Sequence, residues 1–267
     1  MPRVSVVMAV YNNEETLERA IESIRNQTFT DWELITCDDS SKDNSYVLLQ
    51  QYMKKDSRIM AVRNDKNQGP AYTRNRCIEI SRGEYIAILD GDDFAHPDRF
   101  DRQVKFLDNE PEFAFVGSNV ILFDEEGNWG ERKFKPVPEK KDFLKAANFC
   151  HPSIIYRKSA LLEVSCFRVA KETRRGQDVD LYMRMYSKGM KGYNLQEFLL
   201  YYYEGKLSLP RIPFRHRMNS VILRYKGYKA LGLMPIGFFY ILKPLFVGII
   251  PKKFLRKLKK RIYGTVK

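Results

Sequence analysis

The sequence predicts an α/β fold built on a parallel, doubly wound sheet, and three observations carry that prediction. Short apolar runs alternate with helical patterns over the first 125 residues. The runs are apolar nearly throughout, as strands covered on both faces must be. Acidic and polar clusters fall directly after several of them, at the carboxyl edge where such sheets bind ligands.

The elements follow in order. Residues 4–10 are a continuous apolar strand, Val-Ser-Val-Val-Met-Ala-Val. Asn13 is placed to cap the next helix, with Glu14 and Glu15 in its first turn and Leu17, Ile21 and Ile24 at helical spacing. Residues 32–37 form a second strand that runs into Asp38-Asp39-Ser40-Ser41. Residues 43–53 read as helix, 59–62 as a short strand and 71–81 as helix. Residues 85–89 are the fourth strand; Pro97 opens a helix reaching about Asn109, and 113–121 is a further strand. Later, 151–158 reads as a strand entering a helix at Ser159, and Gly176-Gln177-Asp178 opens another helix. There is no internal repeat and no long low-complexity linker.

At 267 residues the chain is long enough for one large α/β domain and an appendage. A hydrophobic content of 44% with 13% aromatics excludes a disordered chain. Cys37, Cys77, Cys150 and Cys166 are widely spaced, without CxxC or a Cys/His cluster, so they read as reduced thiols of a cytosolic protein. The apolar start meets Asn12-Asn13-Glu14-Glu15, not a small-residue cleavage site, and is read as a strand and not an export signal. The net charge of +13 is concentrated at one end. Residues 1–205 hold 30 basic and 33 acidic side chains; residues 206–267 hold sixteen basic ones and no acidic one. The expected division is a domain over 1–205, in halves 1–125 and 126–205, followed by a basic extension over 206–267.

Asp90-Gly91-Asp92-Asp93 is the most informative segment. Like charges about 4 Å apart interact by roughly 4 kcal/mol at an effective dielectric near 20, so clustering them at a strand end costs stability unless a cation sits there. In extended backbone Asp90 and Asp92 point one way and Asp93 the other. A hard divalent ion held by one or two carboxylates, its shell completed by substrate phosphates, fits that pair. A solvated acidic turn is the plainer alternative. The carboxyl-edge rule brings Tyr11-Asn12, Asp38-Asp39 and this tetrad to one rim, and the turn Asn67-Gln68-Gly69-Pro70 adds Arg74 one helical turn in, near where a diphosphate would lie. Singly, Tyr11 could be core packing, Asp38 a turn former and Arg74 a surface charge. Jointly they suit a nucleoside diphosphate.

These segments, with Ser23-Ile24-Arg25-Asn26-Gln27-Thr28-Phe29, Asn67-Gln68-Gly69-Pro70-Ala71, Arg74-Asn75 and Pro97-Asp98-Arg99-Phe100, resemble the family 2 glycosyltransferases over roughly residues 3–205. The resemblance implies the GT-A fold, a nucleotide-sugar donor, UDP by preference, an Mg²⁺ or Mn²⁺ ion and inversion at the anomeric carbon. It implies that 1–125 binds the nucleotide-sugar and 126–205 the acceptor. By the same match Ala9 and Tyr11 border the nucleobase, Asp39 accepts from it, and Arg74 lies near the diphosphate. Asp92 is the principal metal ligand, with Asp90 near ribose and metal, and Asp93 is a further candidate sugar contact. Asp178 matches the base that deprotonates the acceptor hydroxyl, with Gln177 standing where the family has glutamate. A positioned carboxylate is what a poor hydroxyl nucleophile needs. Asp180 competes for that role, but its reach to Arg184 reads as a surface ion pair. His151 is either a sugar contact or a strand-end core histidine.

The extension has its own reading. Residues 231–250 are largely apolar but interrupted by Lys243 and prolines, and 251–263 form a basic amphipathic segment. Such a tail suits an anionic membrane surface, with interfacial attachment favoured over a span. The tail implies a cytoplasmic protein held on the inner face of the membrane, and the family resemblance implies a glycan or lipid-linked acceptor of surface-polysaccharide synthesis there. Other classes stay open: a sugar-1-phosphate nucleotidyltransferase, or a basic membrane- or nucleic-acid-binding protein without catalysis. No nucleic-acid motif accompanies the charge, so no nucleic-acid partner is expected.

Overall fold

The run Val4–Val10 forms the first strand, β1, buried at every position except Ala9. The computed structural model describes residues 1–145, 148–205, 213–243, 245 and 261–264. Within them the further strands are β2 (Trp32–Asp38), β3 (Ile59–Arg63), β4 (Tyr85–Ile88), β5 (Phe94–Ala95), β6 (Phe113–Asp124), β7 (Gly127–Arg132), β8 (Ile155–Arg157) and β9 (Lys191–Tyr203). The helices are α1 (Leu17–Arg25), α2 (Ser45–Lys55), α3 (Pro70–Ile80), α4 (Arg99–Asn109), α5 (Lys158–Glu163), α6 (Gln177–Ser187), α7 (Phe214–Ala230) and α8 (Gly237–Ile241).

β1 pairs in parallel with β2 and β4, and β2 with β3, giving the order β3-β2-β1-β4. The chain winds outward to β3 and then returns past β1 to β4, so the topological switch lies between β1 and β4. Strand alternation fills both faces. Val6, Met8 and Val10 pack with Leu17, Ile21 and Ile24 of α1 on one side. Val7 packs with Ile35, Ile88 and Cys77 and Ile78 of α3 on the other. Beyond β4 the sheet is mixed: β8 is antiparallel to β4 and β6, β7 to β6 and β5 to β9, while β9 runs parallel to β6. The mostly parallel sheet expected is present, with a mixed part beyond β4. Antiparallel neighbours require no crossover helix, so no strand–helix alternation announces them.

The start of α1 also differs. Asn13 does not cap it through its side chain. Its carbonyl accepts from the amides of Thr16 (3.0 Å) and Leu17 (2.9 Å), closing a turn before the helix. Its side-chain oxygen accepts from the Tyr11 amide at 3.0 Å. Glu14 lies in that turn and accepts from the backbone and side chain of Asn44, at 3.0 and 2.8 Å. The tip of β1 is tied to that of β2 by Asn12, in the left-handed region at φ 54°, a conformation asparagine tolerates. Its amide donates to Ser41 Oγ at 3.0 Å and its side chain accepts from the Lys42 amide at 2.9 Å.

The parallel and mixed halves are knitted together by a buried arginine. Arg99 is fully buried and donates to the Ile88 carbonyl at 2.9 Å and to Gln103 Oε1 at 3.0 Å. Gln103 donates onward to the carbonyls of Val116 (3.1 Å) and Ser153 (2.8 Å). Two side chains of α4 thus satisfy backbone acceptors from β4, β6 and the turn leading to β8. Burial lowers the Arg99 pKa to about 9, which still leaves it charged at neutral pH.

The first part of the extension packs against the body. On α7, Leu223 and Tyr228 are buried, and the Tyr228 hydroxyl donates to the Phe143 carbonyl at 3.1 Å. Lys226 pairs with Glu172 at 2.6 Å. Most of the expected amphipathic segment, 251–260, lies outside the described residues; Gly264 bridges Gly130 of β7. Among the described residues no helix is long and apolar enough to cross a membrane.

Replacing Arg99 by methionine leaves the Ile88 and Gln103 acceptors unpaired inside the sheet junction. It should cost about 3–5 kcal/mol in urea unfolding; a loss below about 1 kcal/mol would contradict the junction role.

Candidate active site

The tetrad after β4 is a tight turn, not extended backbone: the Asp93 amide donates to the Asp90 carbonyl at 3.2 Å. Thr16 donates to the Gly91 carbonyl at 2.7 Å, and Arg19 donates to the Asp92 carbonyl at 3.0 Å. The turn still separates the carboxylates. Asp90 and Asp92 line a cavity of about 600 Å³, within the range of roughly 300–1,000 Å³ usual for ligand sites. Asp93 is turned away from it. Its carboxylate is buried and accepts from the Tyr203 amide at 2.7 Å, so it joins the tetrad to the end of β9.

The same cavity collects the tips of β1, β2 and α3. Ala9, Tyr11, Asp39, Gly69 and Arg74 all line it. Asp39 is buried and shapes the floor: it accepts from the amides of Gln68 and Gly69 and from Asn64 Nδ2, each at 2.8 Å. Gly69, at φ 87°, turns the chain into α3 and brings that amide to Asp39. Arg74, only 5% exposed, pairs with Asp90 at 2.5 Å. With its amide oriented to satisfy both neighbours, Gln177 accepts from Arg74 at 3.1 Å and donates to the Thr173 carbonyl at 3.2 Å. Gly176, at φ 113°, supplies the left-handed residue that starts α6 there.

The electrostatics divide the two carboxylates. Partial burial disfavours the Asp90 charge, but Arg74 outweighs it and holds that carboxyl below its ordinary value. Asp92 forms no such ion pair among the described residues, and Arg19 and Arg74 pull on it only weakly. Burial, and then the charge of Asp90, push it up to about 6. His151 is buried, with Nδ1 3.3 Å from the Tyr182 hydroxyl and Nε2 without a partner. Burial and then Arg74 push its pKa down to about 4, against the opposite pull of Asp178 and Asp90, so it is neutral at pH 7. It lines neither cavity described here but shares the field of these three groups.

Asp178 stands on the wall of a second, smaller cavity. Its charge is felt by Arg74, which lines the larger one. Asp180 is no surface pair. It is buried between Arg184 (2.8 Å) and Arg168 (2.5 Å) and unavailable as a base.

Four residues of the larger cavity escaped sequence reading: Arg174, Arg175, Arg215 and His216. The arginine pair adjoins the Gly176-Gln177-Asp178 motif, which was a usable signal. Arg215 and His216 open α7 and were counted with the tail. Slight burial and the three arginines hold His216 below its ordinary pKa.

An unpaired carboxylate beside an ionised one fits a hard divalent cation. Among the described residues no three His, Cys, Asp or Glu side chains gather at one point. A cation placed there would meet two carboxylates, Asp90 and Asp92, and a phosphate ligand would have to supply much of the rest of its shell.

Residues 5–165 match the family described as Glycosyl transferase family 2. Over 261 residues the chain is 38% identical to the protein EpsE of Bacillus subtilis (strain 168), covering 97% of this chain and 94% of that one. It is 30% identical to the UDP-Glc:alpha-D-GlcNAc-diphosphoundecaprenol beta-1,3-glucosyltransferase WfaP of Escherichia coli, covering 92% of this chain and 95% of that one. The fold is shared with S. aureus TarS 1-349 in complex with UDP-GlcNAc, at a TM-score of 0.69 and 16% identity, covering 95% of this chain and 77% of that one. It is also shared with the mannosyltransferase PcManGT from Pyrobaculum calidifontis in complex with GDP-Man and Mn2+, at 0.63 and 16%, covering 98% and 80%. At those identities the structural likeness shows the α/β GT-A fold alone.

Because the folded state raises the Asp92 pKa, the contribution of that group to stability is complete below the unfolded value near 4 and is lost as pH rises through about 6. In metal-free protein at pH 7.5, Asp92→Asn should therefore raise stability by up to about 3 kcal/mol, while abolishing Mn²⁺ binding by calorimetry. A destabilised variant, or one with unchanged Mn²⁺ affinity, would contradict the arrangement.

Proposed function

The chain belongs to glycosyl transferase family 2 and is a glycosyltransferase; from that premise we propose that it moves a sugar from a UDP-sugar to a hydroxyl of a lipid-linked glycan in surface-polysaccharide synthesis. One observation carries this reading. The larger cavity sets the carboxylates Asp90 and Asp92 against a wall of Arg74, Arg174, Arg175 and Arg215. A diphosphate accompanied by a divalent cation satisfies both charges at once. The UDP-Glc donor and diphosphoundecaprenol acceptor in the name of WfaP, and the UDP-GlcNAc bound to TarS, support the substrate classes.

In this reading the uracil lies against Ala9 and Tyr11, with Asp39 offering its remaining acceptor capacity to the ring. Asp92, with help from Asp90, would hold Mg²⁺ or Mn²⁺, a reading supported by the complex of PcManGT with GDP-Man and Mn2+. Such a cation would supply Lewis-acid charge to the leaving diphosphate. Arg174, Arg175 and Arg215 add fixed positive charge as that group departs. Asp178 takes the proton of the acceptor hydroxyl as its oxygen forms a bond to the anomeric carbon. The bond from that carbon to the diphosphate oxygen breaks, its electron pair leaves with UDP, and the single displacement inverts the centre. Gln177 keeps Arg74 in place with a neutral contact. Neutral His151 packs behind these groups as a buried positioning residue.

Attachment to an anionic membrane surface completes the proposal. Phe214, Met218, Ile222 and Tyr225 form an exposed stripe along α7, and Phe238 and Phe239 of α8 are exposed beside it in sequence. With the sixteen basic residues of 206–267, they support peripheral binding near a lipid-carried acceptor.

The test is Asp178→Asn. It should leave UDP affinity within twofold and lower transfer by about 10²–10⁴, with UDP and not pyrophosphate released by the wild type. Pyrophosphate release, or a variant retaining a tenth of wild-type transfer, would overturn the assignment.

A further inference from the structure

Three arginines of the larger cavity, Arg174, Arg175 and Arg215, come from two separate segments, the loop before α6 and the start of α7. Slight burial and then all three guanidiniums lower the His216 pKa, so the three act together on one part of the wall. None of them forms an ion pair among the described residues. Like charges gathered without counter-ions repel one another, and an anionic ligand relieves that. A diphosphate with its divalent cation does not relieve all of it. The two charges of a diphosphate esterified to nucleoside and sugar cancel the two of the cation. Arg74 and Asp90 cancel each other. Asp39 and Asp92, both ionised beside a bound cation, offset two of the three arginines, and His216 is neutral at pH 7. One guanidinium is left unmatched.

The reaction says where the missing anion belongs. The donor sugar has to lie between the diphosphate and Asp178, because its anomeric carbon receives the oxygen that Asp178 deprotonates. Arg174 and Arg175 precede Asp178 by four and three residues, across the left-handed turn at Gly176. They therefore belong to the sugar end of the cavity and not to the nucleobase end at Tyr11. We propose that the donor sugar is itself acidic: the site takes the nucleoside diphosphate of a uronic acid, whose carboxylate is received by the guanidiniums of Arg174, Arg175 and Arg215. The proposal rests on the UDP-sugar reading and adds to it the class of sugar transferred. Paired N–H donors of a guanidinium match the two oxygens of a carboxylate. The hydroxymethyl group of a neutral hexose, at the same ring position, leaves the charge uncompensated. The two groups are nearly equal in size, so charge and not fit makes the choice.

The experiment measures binding of UDP, UDP-glucose and UDP-glucuronate to the full chain by calorimetry with Mn²⁺ present. Wild type should bind UDP-glucuronate about tenfold more tightly than UDP-glucose, as one added charge-assisted contact implies. That preference should shrink as ionic strength is raised from about 0.05 M to about 1 M, because all three arginines are exposed to screening ions. The combined variant Arg174→Gln, Arg175→Gln and Arg215→Gln replaces exposed side chains only, which leaves the core intact. It should bind the two sugar nucleotides within about twofold of each other, and it should weaken UDP-glucuronate at least about fivefold more than UDP. A wild type that binds UDP-glucose as tightly as UDP-glucuronate overturns the proposal. So does a variant that weakens UDP and UDP-glucuronate equally, which assigns the arginines to the diphosphate alone. Failure of wild type to bind UDP would instead fault the donor reading, so the two are separable.

Discussion

A single buried guanidinium sets the geometry on which this site depends. Arg74 leaves α3 almost without exposure and finds its charge partner in Asp90 at the tip of β4. It finds a neutral partner in Gln177 at the start of α6. Three elements distant in sequence are thereby held at one point. Removing one member of such a buried pair leaves a charge without compensation, a change that typically costs about 3–5 kcal/mol. The pair also decides protonation. Asp90 stays ionised because Arg74 faces it, whereas Asp92, two residues on, is pushed upward by burial and by Asp90 itself. Neighbouring carboxyl groups thus acquire different tendencies from their surroundings alone.

The fold explains why these groups meet. Parallel strands around the β1/β4 switch direct their carboxyl ends to one edge, and acidic tips there need positive charge from elsewhere. That charge arrives from the loop before α6 and the start of α7. Opposed acidic and basic walls bind poorly to neutral molecules and well to a phosphate chain with its cation. Asp178 lines a separate, smaller cavity, and its charge is felt by Arg74.

Much of this was legible in residue order. β1 coincides with its expected bounds, and β2, β3 and β4 lie within a residue of theirs, because two-sided burial makes continuous apolar runs. Ala9, Tyr11, Asp39, Arg74, Asp90 and Asp92 share one cavity because the carboxyl-edge rule is a property of the topology. What was not legible depended on tertiary partners. The two-residue β5 and the long β9 are defined by their neighbours and not by their own pattern. Asp180 looked like a surface pair until Arg168 closed over it. Arg215 and His216 looked like tail charge until α7 folded back onto α6. Asp93 follows Asp92 in a turn that sends it to the Tyr203 amide, away from the ligand space.

The most direct measurement is a crystal structure of the full chain soaked with UDP and Mn²⁺. The account predicts the uracil against Tyr11, the diphosphate between the start of α3 and the arginines of 174, 175 and 215, and the metal within coordination distance of Asp92. Nucleotide bound elsewhere, or a cation held by groups that do not include Asp92, would contradict it.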